Sequence, residues 1–168
     1  MRNIFISFSI ILFTCLNFQI LSQGNTCATA YSFGVLPNPA GCGGPGGGIG
    51  AALTHNGANI GSTAANPYIY IADCGGGNAD MVTPGQDVWY TFVATGSSVT
   101  IDITNITGSL GTPNIGLYSG SCNNLGGVAC DIDGSPAAFT GIVPGETYFI
   151  QISGDTQNGE GTYTIDVS

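Results

Sequence analysis

The chain has 168 residues, with one Lys or Arg against ten Asp or Glu and a single His, giving a formal net charge of −9. A surface of that sign repels phosphate backbones and anionic headgroups over a Debye length of about 8 to 10 Å, which excludes nucleic acid and anionic membranes as partners. Charged residues make up only 7% while hydrophobic ones reach 43% and glycine fills 28 positions, which excludes a disordered polyelectrolyte and fits a turn-rich β protein surfaced with Ser, Thr, Asn and Gly.

Read from the N-terminus, Met1, Arg2 and Asn3 precede an apolar run from Ile4 to Leu16, and Leu21-Ser22-Gln23 forms a small-residue exit. This is the layout of a secretory signal peptide over residues 1–22, and the run is shorter than the roughly 20 residues a membrane span needs. Bulky Leu12-Phe13-Thr14 before Cys15 argue against a lipid-attachment cysteine. Residues 23–168 are then expected as a single β-sandwich domain, secreted or held at the outer cell surface. Losing Arg2 removes the one cation and leaves a charge of about −10, so carboxylates must be satisfied by hydrogen bonds, water or bound cations.

A strand is expected near residues 29–36, followed by an irregular glycine-rich loop over 41–50 and a Tyr-Ile-Tyr-Ile strand within 67–72. The glycine-rich loop has no Lys and no helix after it, which removes a phosphate-cradling role. From Gln86 onward apolar and polar residues alternate: Val99, Ile101 and Ile103 against Thr100, Asp102 and Thr104; Tyr148, Ile150 and Ile152 against Phe149, Gln151 and Ser153; then Tyr163, Ile165 and Val167. Such alternation marks strands with one wet face. Turn signals separate them at Thr95-Gly96-Ser97, Thr107-Gly108-Ser109, Ser119-Gly120-Ser121, Asp133-Gly134-Ser135, Pro144-Gly145 and Asn158-Gly159. The expected fold class is all-β, an antiparallel β-sandwich of jelly-roll type with about eight strands.

Five cysteines follow the expected leader: Cys27, Cys42, Cys74, Cys122 and Cys130. Export makes disulfides the default state. Cys122 and Cys130 flank Asn-Asn-Leu-Gly-Gly, read as a hairpin turn that brings them within bridging range. One further pair is expected among Cys27, Cys42 and Cys74, leaving one thiol over.

Asp87-Val88-Trp89-Tyr90-Thr91-Phe92, Leu117-Tyr118-Ser119-Gly120-Ser121-Cys122, Val128-Ala129-Cys130-Asp131 and Pro144-Gly145-Glu146-Thr147-Tyr148-Phe149-Ile150 occur in this order. As an ordered set they resemble the bacterial pre-peptidase C-terminal type of β-sandwich found in proteins secreted by the type IX route. The resemblance covers about Cys27 to the C-terminus. It implies a non-catalytic, jelly-roll-like accessory module, calcium-binding in some members. Relatives often place a cysteine near the end of the last strand, where this chain has Asp166.

Catalytic constellations are sparse. His55, in Leu53-Thr54-His55-Asn56-Gly57, reads as an exposed residue where a strand enters a turn, and no G-x-S-x-G nucleophile elbow occurs. Glycoside hydrolysis needs only two carboxylates, and Asp131 with Glu146 is the pair whose replacement tests it. The chain is therefore expected not to be an enzyme. Asp131-Ile132-Asp133-Gly134-Ser135 sets two carboxylates two apart beside a tight turn, a candidate Ca2+ site through Asp131 and Asp133, and otherwise a solvated acidic turn. Trp89 is the candidate for stacking on a sugar ring, although strand alternation also sends residues of this segment into the core. The expected function is binding or adhesion at an extracellular glycan or protein surface; the alternative is self-association as a subunit of an extracellular fibre or matrix.

Overall fold

A computed structural model of the chain describes residues 24–36, 52–63, 86–132, 136–154 and 159–168. The expected leader, the glycine-rich loop 41–50, the expected strand within 67–72, and Cys42, Cys74 and Asp133 lie outside the described residues. Among the described residues, no helix is long and apolar enough to cross a membrane.

Among the described residues, a 3₁₀ turn at Cys27–Thr29 precedes nine strands: β1 (Tyr31–Val35), β2 (Leu53–Ala58), β3 (Asp87–Val93), β4 (Ser98–Thr104), β5 (Asn114–Ser121), β6 (Asn124–Asp131), β7 (Ala137–Thr140), β8 (Thr147–Ser153) and β9 (Thr162–Val167). They form a five-stranded sheet in the order β1-β3-β8-β5-β6 and a four-stranded sheet in the order β2-β9-β4-β7. Without β1, two four-stranded layers remain, and the chain passes from one to the other at every step except the β5–β6 hairpin. That is a jelly roll. All pairings are antiparallel except that of β1 with β3, which is parallel and shifts register between Ser32 and Gly34.

Alternation puts Val88, Tyr90 and Phe92 of β3, Ile150 and Ile152 of β8, and Ile115 and Leu117 of β5 on the inner side of the larger sheet. They meet Val99, Ile101 and Ile103 of β4 and Tyr163, Ile165 and Val167 of β9. Each such side chain contributes about 1.5 to 3 kcal/mol by leaving water. The jelly roll is thus held mainly by this one interlayer core.

The outer side of the larger sheet departs from expectation, because it is not wet. Trp89 of β3 and Tyr118 of β5 are both buried there, with ring centroids 5.3 Å apart, and Cys27, Ala30, Leu125, Cys130, Ile132 and Phe149 pack against them. Gln151 and Ser153 of β8 are buried on the same side. The segment before β1 adds to this cover: the Trp89 amide donates to the Gly24 carbonyl at 2.6 Å. A Cβ on Gly24, which sits at φ 85°, would run into the Trp89 backbone.

A disulfide joins Cys27 to Cys122, with Cα atoms 5.5 Å apart. This overturns the expected Cys122–Cys130 bridge, and it takes Cys27 out of any pair with Cys42 or Cys74. The reason is register. Ser121 faces Asn124, so the hairpin turns at Cys122 and Asn123, while Cys130 lies opposite Gly116, near the far end of β6. The stretch of strand from Asn124 to Cys130 is about 20 Å long at roughly 3.3 Å per residue, which no single disulfide spans. Cys130 is itself disulfide-bonded.

Replacing Cys27 and Cys122 together by serine is expected to cost about 2 to 4 kcal/mol, because the bridge joins positions 95 residues apart and so restricts the unfolded chain. Thermal unfolding followed by the fluorescence of Trp89, the one tryptophan, measures it.

Candidate functional site

The two sheets present different outer sides. That of the four-stranded sheet carries Thr54 and Asn56 of β2, Thr162, Thr164 and Asp166 of β9, and Thr100, Asp102 and Thr104 of β4, while their sequence neighbours Ile101, Ile103, Tyr163, Ile165 and Val167 are buried. Register aligns these residues in rows across the strands: Thr54, Asp166 and Asp102 in one, Asn56, Thr164 and Thr104 in the next. All are short, and they offer hydroxyl, amide and carboxylate groups.

Hydrogen bonds order these rows. Asn105 donates from Nδ2 to Thr164 Oγ1 at 3.2 Å, and Thr164 Oγ1 donates to Asn56 Oδ1 at 3.1 Å. The Thr107 and Thr162 hydroxyls lie 2.7 Å apart, and Thr54 donates to Asp166. Asn105 has φ 52°, a left-handed conformation that Asn tolerates better than most residues, and this sets its side chain over β9. Between these groups lies an open depression of about 500 Å3 lined by Asn56, Gly57, Ala58, Asn105, Thr162, Tyr163 and Thr164.

The floor of the depression is stiffened from below. Tyr90 of β3 and Tyr163 of β9 share a hydrogen bond at 2.8 Å between their buried hydroxyls, linking the sheets. Gly57 sits over this pair, where a Cβ would collide with the Tyr90 hydroxyl and the Tyr163 ring. Burial pushes Tyr90 up to about 12, opposed by its bond to Tyr163 and helped by the nearby Tyr31. Burial also raises Tyr163 well above its ordinary value. At one end of β2, Asn59 is fully buried; its Nδ2 donates to the carbonyls of Gln86 and Gly159, and its Oδ1 accepts from the Gly161 amide.

The residues singled out from sequence are not gathered here. Trp89 is only 2% exposed, packed against Tyr118, so it is unable to stack on a sugar. Asp131 ends β6 opposite Ile115 and is half-buried, while Asp133 lies outside the described residues. Among the described residues no three His, Cys, Asp or Glu side chains come together as a metal site. Asp131 and Glu146 stand on separate elements, at the end of β6 and just before β8. His55 is not in a turn: it is the third residue of β2, half-buried, stacked on Tyr31 with centroids 3.8 Å apart.

Asn56, Asn105, Thr162 and Thr164 were not among the residues expected from sequence. Asn56, Thr162 and Thr164 carry the outward polar parity of β2 and β9, two strands that pair only across about a hundred positions or more, and Asn105 follows directly on β4. No protein-family model matches the chain, and no curated protein matches it.

Two outcomes are expected of the tyrosine pair. Tyr90→Phe or Tyr163→Phe alone leaves a buried hydroxyl without its partner and costs about 1 to 3 kcal/mol, whereas the double replacement costs less than the sum. Because the folded phenol of Tyr90 ionises near 12 rather than 10, its contribution is intact below pH 10 and is lost as the pH rises towards 12. Denaturant melts of the four proteins between pH 8 and pH 12 check both.

Proposed function

We propose that the chain is a secreted or cell-surface, non-catalytic β-sandwich module that binds a neutral extracellular glycan on the outer side of its four-stranded sheet. The observation carrying this reading is the ordered set of hydroxyls and amides around the open depression at Asn56, Asn105, Thr162 and Thr164. Sugar hydroxyls both donate and accept, as these side chains do, so the two surfaces match without ion pairs. Asp102 and Asp166 on the same side disfavour acidic glycans. Stacking contributes little, since Trp89 is buried.

Support also comes from the jelly-roll topology taken with the resemblance to pre-peptidase C-terminal domains. His55 is stacked among aromatic rings and, among the described residues, makes no hydrogen bond to a serine, threonine or cysteine, an arrangement that favours binding over nucleophilic catalysis. Calcium enters the proposal as a loop-shaping ion at Asp131 and Asp133. Calorimetry with calcium and with EDTA decides that part: a higher melting temperature with the ion keeps it, and identical curves remove it.

The alternative, a fibre or matrix subunit, draws on β6. This outermost strand exposes Asn124 and Gly126, Gly127 and Val128, none of them charged, and such an edge is open to pairing with another chain.

A glycan array carrying neutral and acidic polysaccharides tests the main reading. Neutral ligands are expected to bind, and Asn56→Ala with Thr164→Val is expected to weaken binding at least tenfold, about 1.4 kcal/mol, while leaving the melting temperature close to that of the parent. Binding untouched by that variant, or a preference for acidic glycans, overturns it. Ladders or filaments in size exclusion, with no glycan bound, favour the fibre subunit.

A further inference from the structure

Strand β1 is the one strand outside the eight of the jelly roll, and its attachment is the least regular. It has five residues, pairs in parallel with β3 through a shifted register, and leaves Ser32, Gly34 and Val35 exposed. Tyr31 and Phe33 face inward, Phe33 stacking on Tyr90 at 5.6 Å and Tyr31 meeting it edge-on at 6.2 Å. Across the gap between the sheets, the His55 ring of β2 lies against Tyr31 at 3.8 Å and 25°, and meets Phe33 edge-on at 6.4 Å. An imidazole therefore fastens β1 to the opposite sheet.

We propose that His55 is a pH-sensitive latch, and that its protonation loosens the Tyr31 stack and frees β1 from the edge of the five-stranded sheet. The surroundings of the ring explain why. From β1 it faces Tyr31 and Phe33; from β3 it faces Tyr90, whose hydroxyl is engaged with Tyr163 of β9. Its cross-strand neighbour on β9 is Ile165, and the adjoining Thr164 and Asp166 lie on the opposite side of the sheet, as do Thr54 and Asn56 on β2 itself. Among the described residues no carboxylate faces the ring.

A proton on His55 thus brings a positive charge into a half-buried, aromatic site that, among the described residues, holds no counter-charge. Burial lowers the imidazole from its ordinary value of 6.5, while the faces of the tyrosine rings return part of that cost as cation–π attraction. With the attached form binding its proton less tightly than the detached form, the latch holds fully above about pH 6.5 and weakens as the pH falls. Each unit by which the attached pKa lies below the detached one favours detachment about tenfold at low pH.

Two measurements on the full chain test this. The His55 ring is titrated by NMR in the unaltered protein, and amide hydrogen exchange is compared at pH 7.5 and pH 5. A His55 pKa below 6.5, with exchange in residues 31–35 accelerated at pH 5 beyond the intrinsic change and β9 unaffected, is the expected result. His55→Phe, which keeps a ring and loses the proton, is expected to abolish the acceleration. A pKa at or above 6.5, or the same acceleration in His55→Phe, overturns the proposal.

Discussion

The chain has almost no cations, and that constraint decides how its interior is built. With a single Lys or Arg in the sequence, several buried polar groups are satisfied by hydrogen bonds to hydroxyl, amide, carboxyl and backbone groups rather than by cations. Tyr90 meets Tyr163, Asn59 gathers three backbone groups from separate segments, and Tyr118 donates to Gln151, whose amide in turn donates to Asp87. Buried hydrogen bonds of this kind add about 1 kcal/mol when made and cost roughly twice as much when one partner is lost. They therefore specify which strands meet more than they add to total stability, and the apolar core supplies the rest.

The same constraint separates the two outer sides. One sheet turns Trp89, Tyr118 and Phe149 outward and must cover them, which the Gly24–Ala30 segment does with the help of Cys27 and Cys122. The other turns outward short side chains that are mostly polar, Thr54, Asn56, Thr100, Thr162 and Thr164 among them, with Ala138 of β7 beside them. The proposed binding role rests on this side, where short hydroxyl and amide side chains are ordered by hydrogen bonds among themselves.

Legibility followed the same division. The inward residues of β4, β8 and β9 were readable because a period of two is a local property of the chain. Turns at Thr95 to Ser97 and Pro144-Gly145 were readable for the same reason. Failures arose where distant segments decide. Ser119-Gly120-Ser121 looks like a turn but continues β5, with Gly120 at φ 101° letting the strand approach Asn124. The turn itself, at Cys122 and Asn123, comes earlier than the Asn-Asn-Leu-Gly-Gly stretch suggests, and that displacement misplaced the bridge. The outward residues of β8 looked wet because nothing nearby in sequence announces that a segment more than a hundred residues earlier lies over that sheet. His55 looked like a turn residue because Asn56-Gly57 follows it, yet Gly57 serves to admit the Tyr90 and Tyr163 rings.

The bridge from Cys27 to Cys122 has a topological side as well. It gathers β1 through β5 into one covalent ring, together with the residues between β1 and β2 and between β2 and β3. A protease cutting either connection opens the ring without dividing the molecule: both ends stay tethered, and the severed pieces remain neighbours in the sheets. One backbone cut inside that ring therefore leaves the two pieces covalently joined for as long as the bridge stays oxidised.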